Sequence, residues 1–321
     1  MSPTAPMVLR ERKTLITEAG SAAPPHRDLW SGLSSDDPDA HVGVLGVPFD
    51  GAVSFRRGTA FAPARLRELT PHLAPCAEEG QPLTLGVRDH GDVPIDLEWP
   101  RYFQDVEARA VEVLQHPLAL FLGGDHSVTI PLMRAFSRSV KRPFGVLHFD
   151  SHPDLFDSYE GHKWSHACTE RRALELSGLD SEHLVLVGLR SFAREEWDFL
   201  KEHPEIPYYT ARQCHQQGIE AVVDAVVERL SDVEAVYFTL DIDGLDPAHA
   251  PGTGTPEGGG LTTRDLLELV RGVFQRLPVR AMDVVEVAPP LDVSDITSFA
   301  ALKVIYEAWW VLQETHKERP D

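Results

Sequence analysis

Cysteine is scarce in this chain of 321 residues: there are three, Cys76, Cys168 and Cys214, far apart and without the close spacing of a zinc-binding cluster. That excludes a dense disulfide framework and points to free thiols in a reducing compartment, the cytoplasm. Long apolar runs are missing too. No stretch approaches the roughly 18 to 20 residues of a membrane span, and residues 1–20 have no signal-peptide core. Positive charge is also in short supply. Thirty Lys and Arg stand against fifty Asp and Glu, a net charge of −20. This balance argues against nucleic acid or an anionic membrane as partner and suits a small cationic substrate.

What is present is the make-up of a globular protein, 42% hydrophobic and 25% charged. Residues 1–39, rich in Pro, Ser and Ala, read as an N-terminal arm that is flexible or ordered against a neighbouring subunit. Residues 40–321 read as one domain, because no repeat or Pro/Gly linker divides them. Short apolar strands are expected at 42–47, 118–122, 144–150, 184–189, 235–241 and 280–287. Helical stretches fall at 60–69, 127–137, 193–201, 219–230, 263–274 and 296–312. Such alternation predicts a doubly wound α/β domain with a mostly parallel sheet. In those sheets ligands gather where strands end. His126, Asp150, Asp241 and Glu286 each lie at or just after such an end.

Two segments carry the chemistry. In Asp241-Ile242-Asp243, the strand's period of two puts both carboxylates on one side. So close a pair repels unless a cation, a proton or solvent relieves it, and ordinary turn chemistry around Gly244 and Pro247 competes with the metal reading. Asp150, His152 and Asp154 mix hard carboxylates with an imidazole, a donor set that suits manganese-like ions. His126 follows Gly123 and Gly124, which let the backbone turn sharply at the sheet edge. Together these are four carboxylates and two imidazoles, too many for one tetrahedral zinc but suited to two divalent ions. His148 shares parity with Asp150, yet among apolar neighbours it reads as a hydrogen-bonded core residue. Asp125 reads as structural or as orienting a ligand.

These residues resemble the ureohydrolases, the family of arginase, agmatinase and formiminoglutamase, and the agmatinase branch most. The resemblance runs from Gly46-Val47-Pro48-Phe49-Asp50-Gly51 to the last helix. It rests on Gly123 to Ser127, the Asp150/His152/Asp154 trio, Ser165-His166, the run 241–257, and Asp283 to Pro290. It implies a three-layer α/β/α fold around an eight-stranded, mostly parallel sheet, assembled as a homotrimer or homohexamer. It also implies two Mn2+ ions per subunit. One would take His126, Asp150, Asp154 and Asp241; the other would take His152, Asp150, Asp241 and Asp243. Ser151 and Ala167 depart from the family's usual Ala and Gly. Gly244 and Gly258 stand where bulkier residues are common, and are expected to widen the pocket or loosen its rim.

The implied reaction is attack of a metal-bridging hydroxide on a guanidinium carbon, releasing urea and an amine. Asp154 is the candidate to take the nucleophile's proton while holding metal. His166 is the candidate proton shuttle, with His162 as its alternative, and Glu286 meets the guanidinium. Asp157, Glu160 and Trp164, in the loop 155–164, are candidates for the substrate's tail. Agmatine, giving putrescine and urea, is the leading expectation. A guanidino acid (guanidinobutyrate, guanidinopropionate) or formiminoglutamate is the alternative. A single-metal deacetylase and a non-catalytic partner of an active relative complete the field.

Overall fold

Six apolar runs become the strands they predict, and two less apolar strands join them at the margins. The computed structural model describes residues 26–96 and 98–318. Its strands are β1 (Val42–Gly46), β2 (Val87–Asp92), β3 (Leu118–Leu122), β4 (Phe144–Phe149), β5 (Leu184–Leu189), β6 (Tyr208–Thr210), β7 (Ala235–Asp241) and β8 (Val279–Val285). They form one sheet in the order β2-β1-β3-β8-β7-β4-β5-β6, and every pairing is parallel.

The strand period of two sorts the side chains into two cores. Leu118, Leu120 and Leu122 face one way, toward α1 (Ala62–Leu69), α6 (Ala211–Gln217), α7 (Ile219–Arg229), α8 (Thr263–Arg276) and α9 (Ile296–Glu318). Ala119 and Phe121 face the other, toward α2 (Trp99–Val113), α3 (Thr129–Ser139), α4 (Thr169–Ala173) and α5 (Arg194–Glu202). A parallel sheet covered on both faces favours strands that are apolar nearly throughout, and β1, β3, β4, β5 and β7 are buried at every position. The result is the three-layer α/β/α architecture.

Of the expected arm, residues 1–25 lie outside the described residues. Further along it, Trp30 is fully buried: its ring packs edge-on to Trp309, with centroids 5.3 Å apart, and its Nε1 donates to Asp89 Oδ2 at 2.9 Å. The adjacent tryptophans of α9 part company. Trp309 is buried, while Trp310 is half-buried beneath the Arg271 guanidinium. Among the described residues no helix is long and apolar enough to cross a membrane.

Candidate metal centre

Parallel strands all end on one side, and the three at β3, β7 and β4 hand their next residues to one place. After β3 the chain must reverse within Gly123 and Gly124, where a Cβ on Gly124 would overlap the backbone of Phe49. Phe49 O accepts the Asp125 N–H at 2.8 Å and fixes the turn. Gly124→Ala is therefore expected to lower stability by about 3 kcal/mol through overpacking. Thermal melts can check this against Gly258→Ala, whose added methyl would meet nothing within 4 Å.

The turn brings His126 Nδ1 to 2.9 Å from Asp154 Oδ2, 3.1 Å from Asp150 Oδ2 and 3.3 Å from Asp241 Oδ2. Beside it, His152 Nδ1 lies 3.3 Å from Asp243 Oδ2 and 3.4 Å from Asp150 Oδ1. Five of the six residues singled out by the sequence thus converge as two clusters sharing Asp150, His126 with Asp150 and Asp241 and His152 with Asp150 and Asp243; Asp154 joins the first through His126 Nδ1, and a third group sets His126 beside His148 and Glu170. Asp241 and Asp243 are linked directly, since Asp243 N donates to Asp241 Oδ1 at 2.8 Å.

The donor set fits a pair of divalent cations. His126 Nδ1 and Asp150 Oδ2 are buried and have no hydrogen-bond partner, the signature of atoms directed at something that is neither protein nor solvent. Burial and the charges of Asp243 and Asp150 push the pKa of Asp241 well up. His126 is pushed up as well: burial opposes its charged form, but Asp150, Asp154 and Asp241 outweigh burial. So much unrelieved negative charge in a dry site calls for cations.

His148 is held differently. Its Nδ1 lies 3.0 Å from Glu170 Oε1 and its Nε2 lies 2.9 Å from the His152 carbonyl oxygen. Both partners accept, so both ring nitrogens donate and the buried ring is an imidazolium. Its pKa is raised to about 9, burial opposing and the charges of Asp150 and Glu170 prevailing. This cation supports the His152 backbone and sits beside Asp150. Glu170, in the helix that follows, gives no sign of this role in the sequence, because nothing there separates it from an ordinary helical glutamate.

Ser151 also does more than replace an alanine. Its hydroxyl donates to Asp243 Oδ1 at 2.7 Å, and Thr255 Oγ1 donates to Asp243 Oδ2 at 3.1 Å. Gly244 does not widen the site as expected. It is buried against the Phe149 ring, where a Cβ would clash.

Glu286 follows β8 and is 2% exposed. Its Oε1 accepts the His126 backbone N–H at 2.9 Å and lies 3.4 Å from His166 Nδ1. The His166 pKa is raised to about 9: burial opposes the charge, and the hydrogen bond and charge of Glu286 overcome it. Asp125 lies behind them, accepting from Ala52 N at 2.8 Å and Ser127 N at 3.1 Å. Burial, with the charge of Glu286, lifts it to about 7. Asp154 and Glu286 both have positive φ, 54° and 60°. Side chains other than glycine pay of order 1–3 kcal/mol for such backbone, and its retention at two site residues marks a place where position outweighs comfort.

Above the clusters opens a cavity of about 340 Å³. His152, Asp154, Asp241, Asp243 and His166 contribute to its lining, with Ser54, Phe156, Tyr159, Phe192, Glu196 and Thr255 around them. Asp157 and Trp164 are not among the lining residues. Asp157 pairs with Arg172 at 2.9 Å, and Trp164 packs on Phe103 with centroids 6.0 Å apart. His162 packs against Trp99 and is likewise outside the lining. Glu196 has no signal of its own in the sequence. It occupies the N3 position of α5, where its Oε2 accepts the Ala193 N–H at 3.0 Å, and a helix-capping glutamate looks the same as a pocket residue. Larger hollows exist, such as one of about 560 Å³ beside Glu228 and Asp232. Among the described residues, however, every group able to hold a cation lies at this one place.

Comparison with known proteins agrees with the geometry. The model of the arginase family matches residues 40–310. A guanidinobutyrase of Pseudomonas aeruginosa is 37% identical over 84% of this chain and 85% of its own length. An agmatinase of Edwardsiella ictaluri is 37% identical over 86% of this chain and 89% of its own. Among solved structures, the formimidoylglutamase of Bacillus subtilis superposes with a TM-score of 0.82 at 27% identity, covering 93% of this chain and 96% of that one.

Proposed function

This chain belongs to the arginase family of ureohydrolases, hydrolases of guanidino C–N bonds, and we propose that it is an agmatinase, a two-manganese enzyme that converts agmatine and water to putrescine and urea. The observation that carries the substrate choice is the charge of the cavity wall. Away from the metal clusters, its one carboxylate is that of Glu196, 4% exposed, and among the described lining residues there is no Lys or Arg. A guanidino acid would bring its carboxylate to a wall with no Lys or Arg to meet it. A protonated amine instead finds Glu196, the aromatic faces of Phe156, Tyr159 and Phe192, and a chain of net charge −20. Burial raises Glu196 to about 7, and an ammonium group beside it would hold it ionised.

His126, Asp150, Asp154 and Asp241 would hold one manganese ion, and His152, Asp150, Asp241 and Asp243 the other. Bound there, the ions supply Lewis-acid charge that makes water a nucleophile near neutral pH. Glu286 orients the guanidinium through its planar paired donors, holding the carbon in line for attack. Asp154 accepts the proton that water loses. His166, a cavity residue bonded to Glu286, delivers a proton to the departing amine, which leaves poorly as an anion. Water adds its oxygen to the guanidinium carbon, the C–N bond to the tail breaks, and the products are neutral urea and a protonated amine.

A urea-release screen of the manganese-loaded protein tests the choice. Agmatine is expected to exceed guanidinobutyrate, guanidinopropionate and arginine in kcat/KM by at least about tenfold, the worth of one unmatched charge of roughly 1.4 kcal/mol. A preference for guanidinobutyrate would transfer the assignment to the guanidino-acid hydrolases. Formamide release from formiminoglutamate would transfer it to the formiminoglutamases.

A further inference from the structure

Residues 155–164 contain a small hairpin beside the cavity. Tyr159 and His162 exchange backbone hydrogen bonds at 3.0 and 2.9 Å. Glu160 and Gly161 make the turn between them with φ of 50° and 84°, left-handed at both central positions as one tight hairpin turn requires. Glu160 itself is exposed and outside the cavity lining. The outgoing arm delivers Phe156 and Tyr159 to the cavity, where the Tyr159 ring stands edge-on to His166 with centroids 6.4 Å apart. The returning arm sets His162 against Trp99 and Trp164 against Phe103, with centroids 5.2 and 6.0 Å apart.

A lone two-stranded hairpin is marginal in water, so the placing of Tyr159 depends on what ties the outgoing arm down. Its base is tied by the backbone, Phe156 N donating to Ala167 O at 3.1 Å. Next along, Asp157 Oδ1 accepts from Arg172 Nη2 at 2.9 Å, and Lys163 Nζ stands 3.7 Å from the same oxygen. The partners are unequal. The Arg172 side chain is 3% exposed and that of Asp157 50%. Arg172 belongs to α4, and it also pairs with Glu175 at 3.1 Å. A buried guanidinium deprived of a carboxylate is left short of acceptors, so it retains Asp157 more firmly than a surface cation would. The Arg172 hydrogen bond, aided by the charge of Lys163, holds Asp157 below the usual carboxylate range and keeps it ionised at neutral pH.

We infer that Asp157 and Arg172 are positioning residues, a staple that fixes the hairpin and with it the Tyr159 ring that meets the substrate's tail. Neither lines the cavity, so both act through the residues the hairpin carries. Leu155 stands between Asp154 and the hairpin, buried and with its N–H bonded to Glu196 at 3.1 Å, and it insulates the metal-type residues from movement beyond it. An unstapled hairpin must be ordered by the substrate, a cost that falls on binding and not on chemistry. The inference rests on the agmatine reading above.

The test is steady-state urea release by the manganese-loaded, full-length protein, with guanidinium as a competitor that has no tail. Asp157→Ala is expected to raise KM for agmatine by about 5- to 10-fold, to leave kcat within about twofold, and to keep the wild-type metal content. The inhibition constant of guanidinium is expected to stay within about twofold, because the staple serves the tail alone. Asp157→Glu, which keeps the charge, is expected to stay within about twofold of wild type in every quantity. A pair that served stability alone would lower the melting temperature and leave KM where it was. A KM for Asp157→Ala within twofold of wild type, or a guanidinium constant that rises in step with KM, would overturn the staple. Should Asp157→Ala fail a circular-dichroism check of folding, Asp157→Asn replaces it under the same criteria, since it drops the charge and keeps the volume. A wild-type protein inert toward agmatine sinks the substrate reading before any variant is made. The staple is then judged by the same split on whichever tailed guanidino substrate the wild type turns over.

Discussion

Glu286→Gln is expected to keep both manganese ions and to lose kcat by about 10²- to 10³-fold, the range for removing one charged contact to a transition state. The amide has the shape of the carboxylate and still offers an oxygen to the His126 backbone N–H, now 2.9 Å from Oε1. What it lacks is the negative charge and one of two acceptors for a guanidinium. It also removes the group that raises His166, so proton delivery to the leaving amine weakens in the same step. Steady-state kinetics with agmatine and metal content by mass spectrometry separate the two roles. Normal turnover would remove Glu286 from the mechanism. Loss of metal would recast it as a brace for the His126 turn.

Asp241→Asn should be more damaging, and in a different quantity. Asp241 belongs to the His126 cluster and binds the backbone of Asp243 in the other. An amide there removes a charge from both clusters and directs an N–H at one of them. Manganese affinity is expected to fall by more than about 100-fold, beyond the usual effect of disturbing a residue that only supports a ligand. Turnover should disappear with it at micromolar metal. A fully loaded and active Asp241→Asn protein would rule out a bridging role. A wild-type count of one ion would favour the single-ion deacetylase reading, which leaves Asp154 and Asp243 without employment.

The sequence is most informative where two requirements coincide. Strands β3, β4, β5 and β7 are buried on both faces, so nearly every position outside the site is apolar, and continuous runs such as Leu118–Leu122 announce them. The two strands without such a run, β2 and β6, are the two edges of the sheet. There Arg88, Asp89, His90 and Asp92 tolerate solvent, and Tyr208–Thr210 is too short to form a pattern. Among site residues, those bearing metal-type chemistry at strand ends are legible, because carboxylates buried there without a cation would repel one another at prohibitive cost. Glu170 and Glu196 are not legible in this way. The fold decides that Glu170 meets His148 and that Glu196 faces the cavity, and a lone polar residue in a helix carries no mark of whom it will meet. The loop 155–164 misleads for a related reason: Asp157 is near the ligands in sequence, but Arg172 captures it.

The order of the strands has a consequence for how this protein loses its function. The residues that converge on the site leave β3, β8, β7 and β4, which are the four central strands of the sheet. Amides in such strands open to exchange only with the whole molecule, whereas edge strands and chain ends fray at far lower cost. The site is thus part of the last cooperative unit to open. Partial unfolding from either margin would leave a core that still binds ions, and heat or denaturant would abolish metal binding and global structure together.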